Sequence, residues 1–175
     1  RVHAVERGQS LPDFTMVAFG GAAPLHAARV AAKLGMAHVL VPRGAGVGSA
    51  IGFLRAPMAF EVVRSSHGRL RGADLAALDQ RLQAMTAEAR DVVVPAARGA
   101  GVDPDALRVE RLAELRYEGQ GHELRIAVPP DPLGAASVQR MLADFDAAYR
   151  RNYGVTIPGA EVEVVTWSVT VSTAP

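Results

Sequence analysis

The sequence predicts an α/β fold, and three observations carry that reading. Residues 14–42 run strand, glycine turn, helix, strand, the order of a βαβ unit whose two strands lie parallel. Two later segments repeat apolar residues at three- and four-residue spacing, the helical period. Around them lie short alternating apolar runs rich in Val and Leu, the signal of strands.

In chain order, Phe14, Met16, Val17, Ala18 and Phe19 make the first apolar run, which stops at Gly20-Gly21. An Ala-rich helical segment leads to Gly35, and Val39, Leu40 and Val41 make a second strand closed by Pro42. Gly20-Gly21 therefore stand at the carboxyl end of a strand, where a helix begins. Free N–H groups and the positive end of the helix dipole converge there, and phosphates bind such places. Glycine also ends strands for steric reasons alone. Neither the G-x-G-x-x-G spacing nor the G-K-[ST] of a P-loop is present. His26, early in the helix, is either a neutral donor or acceptor or a packing residue. Gly46-Val47-Gly48-Ser49 is either a second set of anion-facing amides or a plain loop, with Ser49 the N-cap of a short helix over 50–54. Pro57 stops that helix, and residues 60–64 alternate as a strand.

Asp74 caps the next helix, in which Leu75, Leu78, Leu82, Met85, Ala89 and Val92 form one apolar stripe. Pro95 and the 99–101 region are expected to end or kink it. Strands are predicted over 108–117 and 123–128, joined by Glu118-Gly119-Gln120-Gly121 as a hairpin or tight connection. Tyr117, Gln120, His122 and Glu123 gather polar groups there, either lining a cleft or bonding the connection. Pro129-Pro130-Asp131-Pro132 reads as a rigid linker. A helix over 135–152 places Val138, Met141, Leu142, Phe145 and Tyr149 on one face, with Gly154 as its C′ residue. Val162, Val164, Trp167, Val169 and Val171 mark a terminal strand over 161–171. The expected division is 1–72, the βαβ part with its glycine turn, and 73–175, an α+β continuation.

The 175 residues suffice for one or two small domains with a core, and 49% hydrophobic against 21% charged residues is a soluble, globular composition. A formal charge of +1 without a basic block argues against a nucleic-acid partner. No apolar run approaches the roughly 18–20 residues that span a bilayer, so no membrane partner is expected. Lys33 is the only Lys, which reads as coding bias. The absence of Cys excludes disulfides, thiolate nucleophiles and Cys-ligated metals, and it fits a cytoplasmic location. His38, His67 and His122 show no ligand spacing, so no metal site is expected from this chain. The opening RVHAVERGQSLPDF has neither an initiator Met nor an apolar h-region. It is expected to mark a fragment, a split subunit or an incompletely represented chain, not an intact secreted precursor.

The segment VAFGGAAPLHAARVAAKLGMAHVLVPRGAGVGSAIGFLRA resembles the hydantoinase A/5-oxoprolinase family, in which AFGGAGPLHA…LG…V-VP…GV-SA-G recurs. RYEGQGHELRIAVP is similar to the family's R-Y-x-G-Q-x-x-E-L block, and FDAAYRRNYG and EVEVVTWSVTVST are similar to its final helix and strand. The family takes in N-methylhydantoinase A and the acetone/acetophenone carboxylase-type subunits. The resemblance implies the C-terminal portion of an actin-like (sugar kinase/Hsp70-type) ATPase, a mixed sheet with flanking helices. It makes Gly20, Gly21, Ala22 and Ala23 the turn that approaches the nucleotide, with Ala23 standing where the family usually has Gly. The implied cofactors are ATP and Mg²⁺, with the metal ligands outside this chain and the catalytic residues unassigned. The implied activity is a hydrolase of the hydantoinase/oxoprolinase type, which activates a cyclic amide by phosphorylation and opens it with water. This isolated chain is expected to be inactive, its partners being the remainder of the A-type subunit, a hydantoinase B-type subunit in a hetero-oligomer, and a small-molecule substrate. Two alternatives stand beside that reading: a subunit of a ketone carboxylase, and a non-catalytic nucleotide-binding or assembly module.

Overall fold

The computed structural model describes residue 4 and residues 8–130 and 132–174. The chain forms two compact units that divide between Ala56 and Pro57. Most of the opening stretch 1–7, and Asp131 of the proline linker, lie outside the described residues.

The first unit contains the βαβ element. Strand β1 (Thr15–Val17) and strand β2 (His38–Leu40) pair in parallel, Thr15 opposite His38 and Val17 opposite Leu40. The Ala18 N–H donates to the Leu40 carbonyl at 2.9 Å and extends the ladder by one bond. Helix α1 (Ala23–Leu34) makes the crossover that a parallel pair requires. It buries Ala27 and Ala31, one turn apart on the same face. Gly35, with φ 74°, ends it in the left-handed conformation that glycine adopts at no steric cost. A short 3-10 turn, Ala45–Val47, leads into helix α2 (Gly48–Arg55). Here the structure corrects the sequence reading: Val47 is the N-cap, no side chain caps the helix, and Ser49 lies inside it.

The second unit is a four-stranded antiparallel sheet, order β3-β6-β4-β5. Its strands are β3 (Ala59–Arg69), β4 (Arg108–Tyr117), β5 (Leu124–Ala127) and β6 (Val162–Ser172). Strand β3, longer than the predicted 60–64, pairs along β6 with a register shift between Ser65 and Gly68. Helix α3 (Leu75–Gly99) packs on β6 and β3, and helix α4 (Ala135–Tyr153) packs on β5. Strand β6 buries Val162 and Val164 and, past an irregularity in pairing at Val165, Trp167, Val169 and Val171 by alternation, and the core also takes in Leu82, Met85, Met141 and Phe145.

Helix α3 differs from expectation in two respects. It runs through Pro95 to Gly99, because Pro95 sits on the exposed face and the buried row continues past it through Val93 and Ala97. Val92, expected in the stripe, is exposed, and its neighbour Val93 holds the core position. The period settles that choice: Leu82, Met85, Ala89, Val93 and Ala97 follow at three or four residues, and Val92 falls off the line. The Asp74 side chain accepts from the Ala77 N–H at 3.0 Å, which is the predicted cap. No helix among the described residues is long and apolar enough to cross a membrane.

Candidate nucleotide-facing turn

The carboxyl end of β1 runs directly into the glycine turn. Gly20 has φ 101°, a conformation open to glycine and strained for any residue with a Cβ. Its N–H is engaged, donating to the Ala45 carbonyl at 2.7 Å, so Gly20 bends the chain and ties it to the 3-10 turn. Gly21 is different. Its φ lies outside the left-handed region, and a Cβ built there meets nothing within 4 Å. Ala22 is the N-cap of α1 without a capping side chain, Ala23 is the first helical residue, and Pro24 follows in the first turn with no N–H to satisfy.

Consequently the N–H groups of Gly21, Ala22 and Ala23 make no hydrogen bond among the described residues. They stand at the positive end of a twelve-residue helix, where unpaired N–H groups and the helix dipole favour an anion. The open space above Gly21 lets such a group approach the chain itself. Alongside lies a largely apolar cleft of about 290 Å³, bounded by Met16, Val17, Phe19, Ala23, His26 and Val30. It brings His26 beside the turn, an exposed residue reaching the cleft from the early part of α1. No three His, Asp or Glu side chains converge among the described residues, so nothing assigns a ligand to Mg²⁺.

The other sequence-level candidates separate. Gly48 and Ser49 are already turned into α2, whose eight residues carry no capping side chain. The polar group at the β4–β5 connection splits between two sides of the sheet. The Tyr117 hydroxyl donates to Asp146 of α4 at 3.1 Å and accepts from the Ile157 N–H at 3.2 Å, and Gln120 pairs with the Tyr149 hydroxyl. Burial above all pushes the Tyr117 phenol up from its ordinary range. Glu123 instead receives Arg116 at 3.1 Å, so the four residues do not form one site.

A charged cluster that the sequence reading did not single out centres on Glu163. Its carboxylate, only 7% exposed, accepts from Arg116 Nε at 2.7 Å and lies 3.0 Å from His67 Nε2. The Arg116 hydrogen bond is the chief cause holding the Glu163 carboxyl below its usual range, and His67 adds to it. The cross-strand register opposing Arg116 to Glu163 is the signal that would have found it, and it depends on strand pairing.

The first unit is thus an α/β element with an open amide turn at a helix N-terminus, a place where anions bind in other proteins. Comparison with known proteins places it further. Residues 1–62 match the family model described as Hydantoinase/oxoprolinase. Over 165 residues the chain is 28% identical to the caprolactamase subunit alpha of Pseudomonas jessenii, covering 93% of this chain and 23% of that protein. Over 149 residues it is 28% identical to 5-oxoprolinase 1 of Arabidopsis thaliana, covering 85% of this chain and 11% of the other. The crystal structure of the ATP-dependent caprolactamase from Pseudomonas jessenii superposes with a TM-score of 0.66 at 27% identity, over 97% of this chain and 24% of that one. The nucleotide-free acetone carboxylase superposes with a TM-score of 0.68 at 24% identity, over 100% of this chain and 26% of that one, a likeness of fold. The chain's first 62 residues are thus similar to the hydantoinase/oxoprolinase family, and most of its length is similar to single proteins of that kind. It spans about a quarter or less of the length of the proteins it matches.

Proposed function

We propose that this chain is the C-terminal portion of the A-type subunit of an ATP-dependent enzyme that opens a cyclic amide, with the turn at residues 20–23 facing the nucleotide. The observation that carries the reading is the row of open N–H groups on Gly21, Ala22 and Ala23 at the start of α1. It is supported by kinship with a caprolactamase subunit and a 5-oxoprolinase, names that both describe cyclic amides. When bound, ATP supplies the phosphoryl group that activates the amide oxygen. The chain's own contribution is to hold one side of the phosphates with backbone donors, while Gly20 fixes the bend and the neighbouring cleft takes an apolar part of the nucleotide. We place the turn within an actin-like ATPase fold, with the Mg²⁺ ligands, the remaining phosphate contacts and a B-type partner outside these residues. Assaying the complete enzyme with lactams and hydantoins tests the proposal. It predicts ring opening with ADP release that depends on substrate, and turnover without ATP would refute it. The ketone carboxylase alternative predicts ADP release that requires a ketone and bicarbonate, with no turnover of cyclic amides.

A further inference from the structure

The second unit contains a cavity of about 480 Å³ whose polar walls include Arg71, Tyr117, Asp146, Thr156 and Glu161. Backbone bonds build it. The Leu70 N–H donates to the Val162 carbonyl at 3.0 Å, and the Glu118 N–H donates to the Glu161 carbonyl at 2.9 Å. The chain leaving β3 and the chain leaving β4 are thereby both tied to the start of β6. The loop between α4 and β6 makes the remaining wall. Its Ile157 N–H donates to the Tyr117 hydroxyl at 3.2 Å, and its Ala160 N–H closes a turn onto the Ile157 carbonyl at 3.2 Å.

Opposite charges line this space without pairing. Neither Arg71, which is exposed, nor the half-buried Glu161 forms an ion pair among the described residues. Arg69, which also feels the Glu161 charge, spends its Nη2 on the two Glu118 oxygens at 2.9 and 3.1 Å. Glu161 Oε2 is buried and has no hydrogen-bond partner among the described residues. A carboxylate withdrawn from water without a partner is costly, and the cavity beside it is where a donor can enter. Asp146 adds a second carboxylate, which receives the Tyr117 hydroxyl at 3.1 Å on one oxygen. A lone cation would suit the two carboxylates and be repelled by Arg71, and a lone anion would meet the reverse. Only a molecule with both charges answers all three groups.

We infer that this cavity binds a small zwitterion, an amino acid whose ammonium group donates to Glu161 and Asp146 and whose carboxylate pairs with the Arg71 guanidinium. The inference rests on the second unit alone and is independent of the turn's assignment to ATP.

Calorimetric titration of the complete enzyme without nucleotide tests it, using glycine, 4-aminobutyrate and 6-aminohexanoate, whose charges stand progressively further apart. Hydrogen exchange in the same samples locates the site. At least one of the three should bind and slow exchange over residues 156–161. Hexanoate and hexylamine, with one charge each, should bind at least about tenfold more weakly than the best zwitterion. Arg71→Ala and Glu161→Gln should each raise the Kd by roughly 10- to 150-fold. Glu161→Gln should do so at an unchanged or higher Tm, since it removes an unpaired charge. Both variants should keep ATP-dependent turnover, so this inference and the proposed function fail separately. The inference is overturned by no binding, by binding that both variants retain, or by protection confined to segments other than 156–161. Protection of 156–161 by Mg²⁺ or Ca²⁺ without an amino acid would also overturn it, assigning the carboxylates to a metal ion.

Discussion

Gly21→Val separates the turn's binding role from its role in the fold. The position tolerates a side chain: its φ is outside the left-handed region, and a Cβ has open space to 4 Å on every side. The cost to stability should therefore stay within about 0.5 kcal/mol, the ordinary range for surface substitutions. A branched side chain in that open space would stand where a phosphate must approach the Gly21 N–H. A hydrogen bond to a charged acceptor contributes about 1.5–3 kcal/mol, so losing one should raise the nucleotide Kd by roughly 10- to 150-fold. The assay is calorimetric titration of the complete enzyme with ATP–Mg²⁺, paired with thermal melting of the same sample. An unchanged Kd at an unchanged Tm would refute the assignment of the turn.

Gly20→Ala should behave in the opposite way. Its φ of 101° imposes strain of order 1–3 kcal/mol on any residue with a Cβ, so the loss should appear in the local stability of the first unit, measured by hydrogen exchange. Phe145→Ala removes a fully buried ring that meets Tyr117 edge-on at 5.0 Å, and denaturant unfolding of the second unit should show a loss of about 3–5 kcal/mol. Pro95→Ala restores a backbone donor in the interior of α3 at an exposed position and should raise the stability of that unit by about 1–3 kcal/mol. Glu163 has its folded pKa depressed by Arg116 and His67, so its contribution is fully present above the ordinary value of 4.5. It is lost as pH falls through the lower, folded value. Acid titration of stability should show this loss, and Glu163→Gln should flatten it.

The local elements were legible because each depends on residues close in sequence. The stripe from Leu78 to Ala89, the Asp74 cap, the alternation from Trp167 to Val171 and the glycine turn after β1 all follow from period and turn chemistry. Pro95 misled the reading because a proline's effect depends on which face it occupies, and that is fixed by packing. Val92 and Val93 are adjacent valines that only the register of the whole helix distinguishes. The candidate site was legible as a turn but not as a set of donors. That Gly20 spends its N–H on Ala45 while Gly21, Ala22 and Ala23 keep theirs follows from a contact twenty-five residues away. The Glu163 cluster was invisible for the same reason, since strand pairing brings together residues dozens of positions apart.

The claim that the 20–23 turn holds phosphate is tested most directly by amide exchange at Gly21, Ala22 and Ala23 in the complete enzyme, with and without saturating ATP–Mg²⁺. These three N–H groups have no partner among the described residues, so each should exchange fast in the nucleotide-free enzyme and slow by about tenfold or more when nucleotide is bound. The Gly20 N–H, already bonded to Ala45, should change far less. Unchanged exchange at Gly21, Ala22 and Ala23 under saturating nucleotide would contradict the account.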